Sequence, residues 1–259
     1  MKPKILILGA AGNAGILLTR CLKDDFDVYG SDYGKYKQLM ECPEYKKQVV
    51  DMIIATPDSL VATGSFSPNI STIYLCQDKA KCAAVLGDLA PVVYWVRGTQ
   101  GAGGKGAQMA QEYLPGRNFS VELLYYNGIL HGQFAKERLS YTTKGEDEPM
   151  DKRGTSKVST CIKDDNLQRL AIKAVMKVDS CPNGVYSLDF KENEQGEPKI
   201  TEINAGRFLT ASYIYFQDYN LPKRMVELAL NLPLTPLGKY PEGISIIRML
   251  DKLPWKGKL

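Results

Sequence analysis

Alternation is the strongest constraint in this sequence, and it is sharpest around residue 190. The run Val185-Tyr186-Ser187-Leu188-Asp189-Phe190-Lys191 and the run Thr201-Glu202-Ile203-Asn204-Ala205-Gly206-Arg207-Phe208 flank the polar quartet Glu194-Gln195-Gly196-Glu197. Apolar and polar side chains that alternate with period two make strands with one buried face. A glycine-containing polar quartet between two such runs makes a turn. The stretch is therefore read as a β-hairpin. If that four-residue turn is symmetric, Asp189 lies opposite Glu202, Ser187 lies opposite Asn204, and Glu202 and Asn204 share a face. Facing carboxylates repel and cost stability. A divalent cation removes that cost: Asp189, Glu202 and Asn204 offer carboxylate and amide oxygens of the kind a hard ion such as Mg²⁺ takes, with phosphate oxygens completing its shell. Arg207, just beyond, is placed for a phosphate or a carboxylate. A solvated acidic hairpin with its charges turned outward fits the same letters.

Composition narrows the classes. The chain has 259 residues, 44% of them hydrophobic, enough for one or two domains with a real core. Lys and Arg number 33 against 29 Asp and Glu, and a net charge of +4 is too mild to mark a nucleic-acid surface. The six cysteines, Cys21, Cys42, Cys76, Cys82, Cys161 and Cys181, form no C-x-x-C pair. They are read as reduced thiols of a cytoplasmic protein, without zinc and without a disulfide frame. His131 is the one histidine, so a histidine-based metal cluster is excluded and a Ser-His-Asp triad would have to run through it. Its position in a strand favours a structural histidine. The apolar run after Lys4 is broken by Gly9, Gly12 and Gly15, which argues against a signal peptide. No segment is long and apolar enough to span a bilayer. Neither nucleic acid nor membrane is an expected partner.

Along the chain, residues 4–8 read as a buried parallel strand, 14–22 as a helix and 27–30 as a second strand, a Rossmann-type β-α-β opening. Asp32 stands where a ribose-binding acid would stand in a dinucleotide site. Tyr33 and Lys37 mimic the catalytic pair of short-chain dehydrogenases but come too early in the chain. Many α/β domains begin this way without a nucleotide there. Residues 49–55 suit a strand and 73–86 a single helix, whose Lys79 and Lys81 fit a phosphate site or a solvated face. A strand over 92–97 ends at Arg97 and enters a glycine run, residues 98–106, containing Gly101, Gly103, Gly104, Lys105 and Gly106. Such a loop can lay backbone N–H groups over phosphates, with Arg97 beside them. It is not a Walker A loop, since no G-K-[ST] opens a helix; a plain flexible linker is the alternative. Residues 119–126 and 129–139 form a hairpin about Asn127-Gly128, a type I′ turn. Residues 140–156 read as a polar loop, 167–178 as an amphipathic helix, 221–230 as another helix and 244–250 as a late strand.

The order of these parts resembles the ATP-grasp superfamily. The glycine loop after Arg97, the run Gln111-Glu112-Tyr113-Leu114-Pro115-Gly116-Arg117, the strand ending Lys136-Glu137-Arg138-Leu139, and Asp189 followed by Glu202-Ile203-Asn204-Ala205-Gly206-Arg207-Phe208 carry the resemblance. It is closest to stand-alone proteins similar to the carbamoyl-phosphate synthase large chain and covers nearly the whole chain. The resemblance implies an α/β and α+β architecture: a Rossmann-like pre-ATP-grasp domain over 1–75, then an ATP-grasp domain over 76–259. Within the latter, a reduced small subdomain spans roughly 79–110 and a large one 111–259. It implies ATP, with Mg²⁺ or Mn²⁺ on Asp189, Glu202 and Asn204. Arg97 and the glycine loop would hold phosphates, and Gln111, Glu112, Tyr113 and Leu114 would line the adenine. Arg207 and Arg97 would be catalytic, and Lys136, Arg138 and Arg207 would meet an acidic substrate. Asn118 stands where the family usually has a ribose-binding Glu. Only Ala107, Gln108, Met109 and Ala110 separate Gly106 from Gln111, where the family carries a helix.

The activity implied is carboxylate–amine ligation through an acyl phosphate, with a small carboxylate and an amine as substrates and homodimerisation left open. A non-catalytic, nucleotide-binding or regulatory protein on the same scaffold is the second expectation. An NAD(P)-dependent dehydrogenase built on residues 9–15 is the third.

Overall fold

The computed structural model describes residues 2–9, 13–31, 52–55, 66–97, 108–141, 156–206, 208 and 218–247. The first strand, β1 (Lys4–Leu8), lies between β2 (Asp27–Ser31) and β3 (Met52–Ala55), and both pairings are parallel. Helix α1 (Asn13–Leu22) connects β1 to β2. Ile5, Leu6 and Ile7 are all buried, as an apolar run covered on both faces must be. Asp32, Tyr33 and Lys37 lie outside the described residues, as do 10–12.

The predicted helix over 73–86 is two helices, α2 (Ile70–Gln77) and α3 (Lys79–Leu86). Asp78 separates them. Its backbone is extended, at φ −90° and ψ 95°, and its carboxylate accepts the Lys81 N–H. That is N-cap chemistry, and it starts a new helix where apolar periodicity alone runs on. After a short 3₁₀ turn (Gly87–Leu89), β4 (Val93–Arg97) pairs antiparallel with β5 (Gln108–Gln111) in a two-stranded ribbon. Residues 107–110 were expected as bare connection, and β5 lies mostly within them.

The main sheet has six strands in the order β10-β9-β6-β7-β8-β11. They are β6 (Asn118–Tyr126), β7 (Ile129–Tyr141), β8 (Ser156–Ile162), β9 (Gly184–Glu192), β10 (Pro198–Ala205) and β11 (Ser245–Ile247), and every neighbouring pair is antiparallel. Asn127 and Gly128 have φ 49° and 79°, the signature of the expected type I′ turn. The strand β8 escaped the sequence reading. Phe119, Val121, Leu123, Tyr186, Leu188, Phe190, Ile200 and Ile203 form one apolar face. It packs on α2, α3 and the amphipathic helix α4 (Asp165–Val178), which Asp164 caps through the Leu167 N–H. On the other face, Leu124, Phe134 and Val185 meet α5 (Leu221–Ala229) and the β1 unit.

One irregularity sets the hairpin. Glu192 pairs with Pro198 and Phe190 with Ile200, so five residues, 193–197, form the connection in place of the expected four. Continued unbroken, that register would put Thr201 opposite Asp189 and turn Glu202 toward the helices. The pairing slips by one residue between Ile200 and Glu202, and Thr201 is the extra residue of the bulge. Asp189 then faces Glu202, and Ile200 and Ile203 both reach the apolar core. Deletion of Thr201 is expected to abolish cooperative unfolding, because it drives Glu202 into the helix-packed face. A variant with wild-type urea midpoint would contradict this account.

His131 lies on β7 beside the Tyr126 ring, at 6.2 Å between centroids. Burial first, and Arg224 second, hold its pKa below the ordinary 6.5. The unfolded chain therefore binds the proton more readily, and stability falls as the pH drops below 6.5 toward the lower folded value. His131→Gln is expected to flatten the melting temperature across that window, which differential scanning calorimetry from pH 7 to 5.5 reads directly.

Candidate functional site

Four adjacent strands build a polar zone on the sheet face opposite α4, beside the part that α5 and the β1 unit cover. The registers set Asn118 beside Arg138 and Lys191, Ser120 beside Lys136 and Asp189, Glu122 beside Ser187, Asp189 beside Glu202, and Ser187 beside Asn204. Period-two geometry then places Arg138, Lys136, Asn118, Ser120, Glu122, Ser187, Asp189, Glu202 and Asn204 on one face. Ser120, Glu122, Lys136 and Ser187 are buried. The Asp189 side chain is only 20% exposed and that of Glu202 35%. The hairpin is thus not a solvated acidic finger, and buried polar groups of this density need partners.

Two cations answer the two facing carboxylates. Arg138 Nη2 donates to Asp189 Oδ1 at 2.5 Å, and Ser120 Oγ donates to the same oxygen at 3.1 Å. Lys79, at the start of α3, donates through Nζ to Glu202 Oε2 at 3.1 Å. Among the described residues there is no group of three or more His, Cys, Asp or Glu side chains arranged for a metal ion. Two carboxylates and an amide are nevertheless a donor set that suits Mg²⁺, which keeps several water or phosphate ligands. Asp189 and Glu202 are direct cross-strand neighbours.

The remaining expected residues divide. Gln111 lines a shallow depression together with Lys79, Met109 and Glu202. Glu112 holds Val92 twice: its N–H donates to the Val92 carbonyl at 2.8 Å, and its carboxylate accepts the Val92 N–H at 3.1 Å. Tyr113 is exposed beneath the Lys191 ammonium, 5.8 Å from the ring centroid, and Leu114 is buried. Arg97 ends β4 opposite Gln108. Gly101, Gly103, Gly104, Lys105, Gly106 and Arg207 lie outside the described residues. Ser120 and Glu122 were not singled out in the sequence. Their signal was present, since Asn118, Ser120 and Glu122 alternate on one side of β6 like Ser187 and Asp189 on β9.

No protein-family profile matches the chain, and no curated protein matches it by sequence. Solved structures do. L-amino acid ligase from Bacillus licheniformis superposes with a TM-score of 0.62 at 12% identity, covering 89% of this chain and 75% of that one. Phosphoribosylamine–glycine ligase from Thermotoga maritima gives 0.63 at 15% identity, covering 93% and 78%. The ADP complex of N5-carboxyaminoimidazole ribonucleotide synthetase gives 0.63 at 13% identity, covering 96% and 82%. These are ATP-grasp proteins, and this chain has the ATP-grasp fold.

The two ion pairs differ in environment, and their loss is expected to differ likewise. Asp189→Asn weakens a charge-assisted bond in a mostly buried setting and should cost about 1–3 kcal/mol. Glu202→Gln weakens a half-exposed contact to Lys79 and should cost under about 1 kcal/mol. Urea titrations of both variants test the contrast.

Proposed function

We propose that the protein is an ATP-dependent carboxylate–amine ligase of the cytoplasm, acting through an acyl phosphate. The observation that carries this reading is the register-aligned Asp189–Glu202 pair on a half-buried polar face, inside an ATP-grasp fold. Residues 1–75 would form the pre-ATP-grasp domain, the β4–β5 ribbon the small subdomain, and 111–259 the large one. Nucleotide would lie between ribbon and sheet, near Gln111, Met109 and Lys79.

Asp189, Glu202 and Asn204 would hold Mg²⁺. When bound, the ion neutralises charge on the transferred phosphoryl group and orients it. The other residues bind and align. Lys136 and Arg138 on β7 present positive charge to an acidic substrate on the same face, with Arg207 and Arg97 as further phosphate ligands. A substrate carboxylate oxygen attacks the γ-phosphorus and ADP leaves. The amine nitrogen then attacks the acyl carbon, phosphate leaves, and the amine gives up a proton. No side-chain nucleophile takes part, in keeping with a chain whose one histidine is structural.

The test measures ADP and phosphate release with panels of small acids and amines. Release that requires both an acid and an amine supports ligation. Saturable Mg-ATP binding with no turnover across the panel favours the non-catalytic reading, and a thermal shift with NADPH but not Mg-ATP favours the dehydrogenase. Glu202→Gln is expected to abolish metal-dependent turnover and leave the circular dichroism spectrum unchanged. Wild-type turnover in that variant removes Glu202 from the site.

A further inference from the structure

A buried thiol is ordinarily inert. Burial is the main reason that Cys21 and Cys161 are both pushed up to about 12. Cys76 and Cys82 depart from that pattern. Cys76 lies near the end of α2 and Cys82 in α3, each is buried, and both belong to the apolar cluster against β10. Asp78 breaks the helix between them with an extended backbone, and across that break the two thiols meet. The Cys76 S–H donates to the Cys82 sulfur. That bond holds Cys76 above the ordinary thiol range and draws Cys82 below it, although burial and the charges of Asp78 and Glu202 pull Cys82 the other way. One thiol keeps its proton and the other gives its proton up more readily, which is the asymmetry of a resolving partner and a nucleophile. Both cysteines line the shallow depression that Lys79, Gln111 and Glu202 also line, so a small oxidant has a route from the surface.

We propose that Cys76 and Cys82 form a redox-sensitive pair, which hydrogen peroxide closes into a disulfide joining α2 to α3. The Cys82 thiolate attacks one peroxide oxygen and the O–O bond breaks. The other oxygen leaves as hydroxide and takes up the proton that Cys82 released, giving water and a Cys82 sulfenic acid. Cys76 then loses its proton and attacks the Cys82 sulfur. The S–S bond forms, the S–O bond breaks, and the hydroxyl leaves with the Cys76 proton as a second water. The two thiols lose two electrons in all and the peroxide gains them. A small thiol reverses the reaction by exchange. Lys79 stands between the two cysteines, in the first turn of α3, and reaches Glu202 from there. The disulfide thus ties to α2 the turn that presents Lys79 to Glu202.

The test treats the reduced, folded protein with a small molar excess of hydrogen peroxide, blocks the remaining thiols with iodoacetamide and maps the digest by mass spectrometry. The peptides that carry Cys76 and Cys82 are expected to be linked to each other within one chain, and dithiothreitol is expected to separate them. Cys161, which is also buried, is expected to remain a thiol. In Cys76→Ser, dimedone is expected to capture a sulfenic acid at Cys82, whereas in Cys82→Ser residue Cys76 is expected to stay reduced. Exposed Cys181 supplies the reference for oxidant strength. If Cys76 and Cys82 both stay reduced under peroxide that oxidises Cys181, the proposal is overturned. A link that forms only in urea overturns it as well, because the folded arrangement then plays no part. Dimedone capture at Cys76 in Cys82→Ser, with none at Cys82 in Cys76→Ser, overturns the assigned roles. The wild-type map decides the matter if a serine variant does not fold.

Discussion

The register between β9 and β10 decides which side chains this protein can offer to a ligand. In a sheet with one face on helices, a slip of one residue exchanges the two faces. Here the five-residue connection at 193–197 starts the hairpin in a register that would bury Glu202, and the bulge at Thr201 shifts it back. The Thr201 hydroxyl donates to the Asp189 carbonyl at 3.2 Å, so the extra residue ties the bulge to the strand it faces. From there the order propagates through β6 and β7. Ser120 and Glu122, Lys136 and Arg138 fall on the same face because each pairing keeps its register through that region. Apolar burial of Phe119, Leu188 and Phe190 against α4 supplies the driving force. The polar face is held open at the expense of that burial, and its charges persist because each has a partner.

The entry to this face is braced separately. Gly116 lies so close to β9 that a Cβ there would stand 2.6 Å from the Glu192 Cβ, which only glycine avoids. That approach lets Arg117 clamp Glu192 while its guanidinium covers the Phe119 ring at 5.1 Å. Glu192 also draws Arg117 above its ordinary pKa, mainly through the side-chain hydrogen bond. The clamp pins the start of β6 to the end of β9, on either side of Asn118 and Lys191. The clamp thus frames the strands that carry the Asp189–Glu202 pair.

Local chemistry made much of this legible from the sequence. Asn127-Gly128 specifies its turn through two positive φ angles, and the buried run Lys4–Leu8 specifies a parallel strand. The opposition of Asp189 and Glu202 was legible for a partly wrong reason. The turn is one residue longer than its letters implied, and the bulge cancels the error. Bulges answer to tertiary packing, here the need to bury both Ile200 and Ile203, and alternation does not record that need. The division of α2 from α3 was readable in principle, since Asp78 is a good N-cap, but apolar periodicity runs straight across it. The strand β8 has a short, polar alternation that becomes a strand through its pairing with β7 and β11. Ser120 and Glu122 drew no notice because one strand does not say what covers it. The glycine loop and Arg207, the expected phosphate ligands, lie outside the described residues.

The division of labour between sheet and ribbon follows from the same physics. Six paired strands over an apolar layer resist opening, whereas a two-stranded ribbon is marginal by itself. Tyr94, Trp95 and Val96 on β4 remain exposed, so the ribbon buries little of its own apolar surface. Its connection back to the sheet is compact: Glu112 holds Val92 through backbone and side chain, and Leu114 is buried just beyond. The ribbon therefore joins the sheet through residues 112–115, apart from the Asp189–Glu202 register. If the proposed ligase reading holds, this would place the fixed ligands on the stiff element and any motion on the soft one. The reverse arrangement, with the carboxylates on the ribbon, would let every opening disturb the spacing that a metal requires.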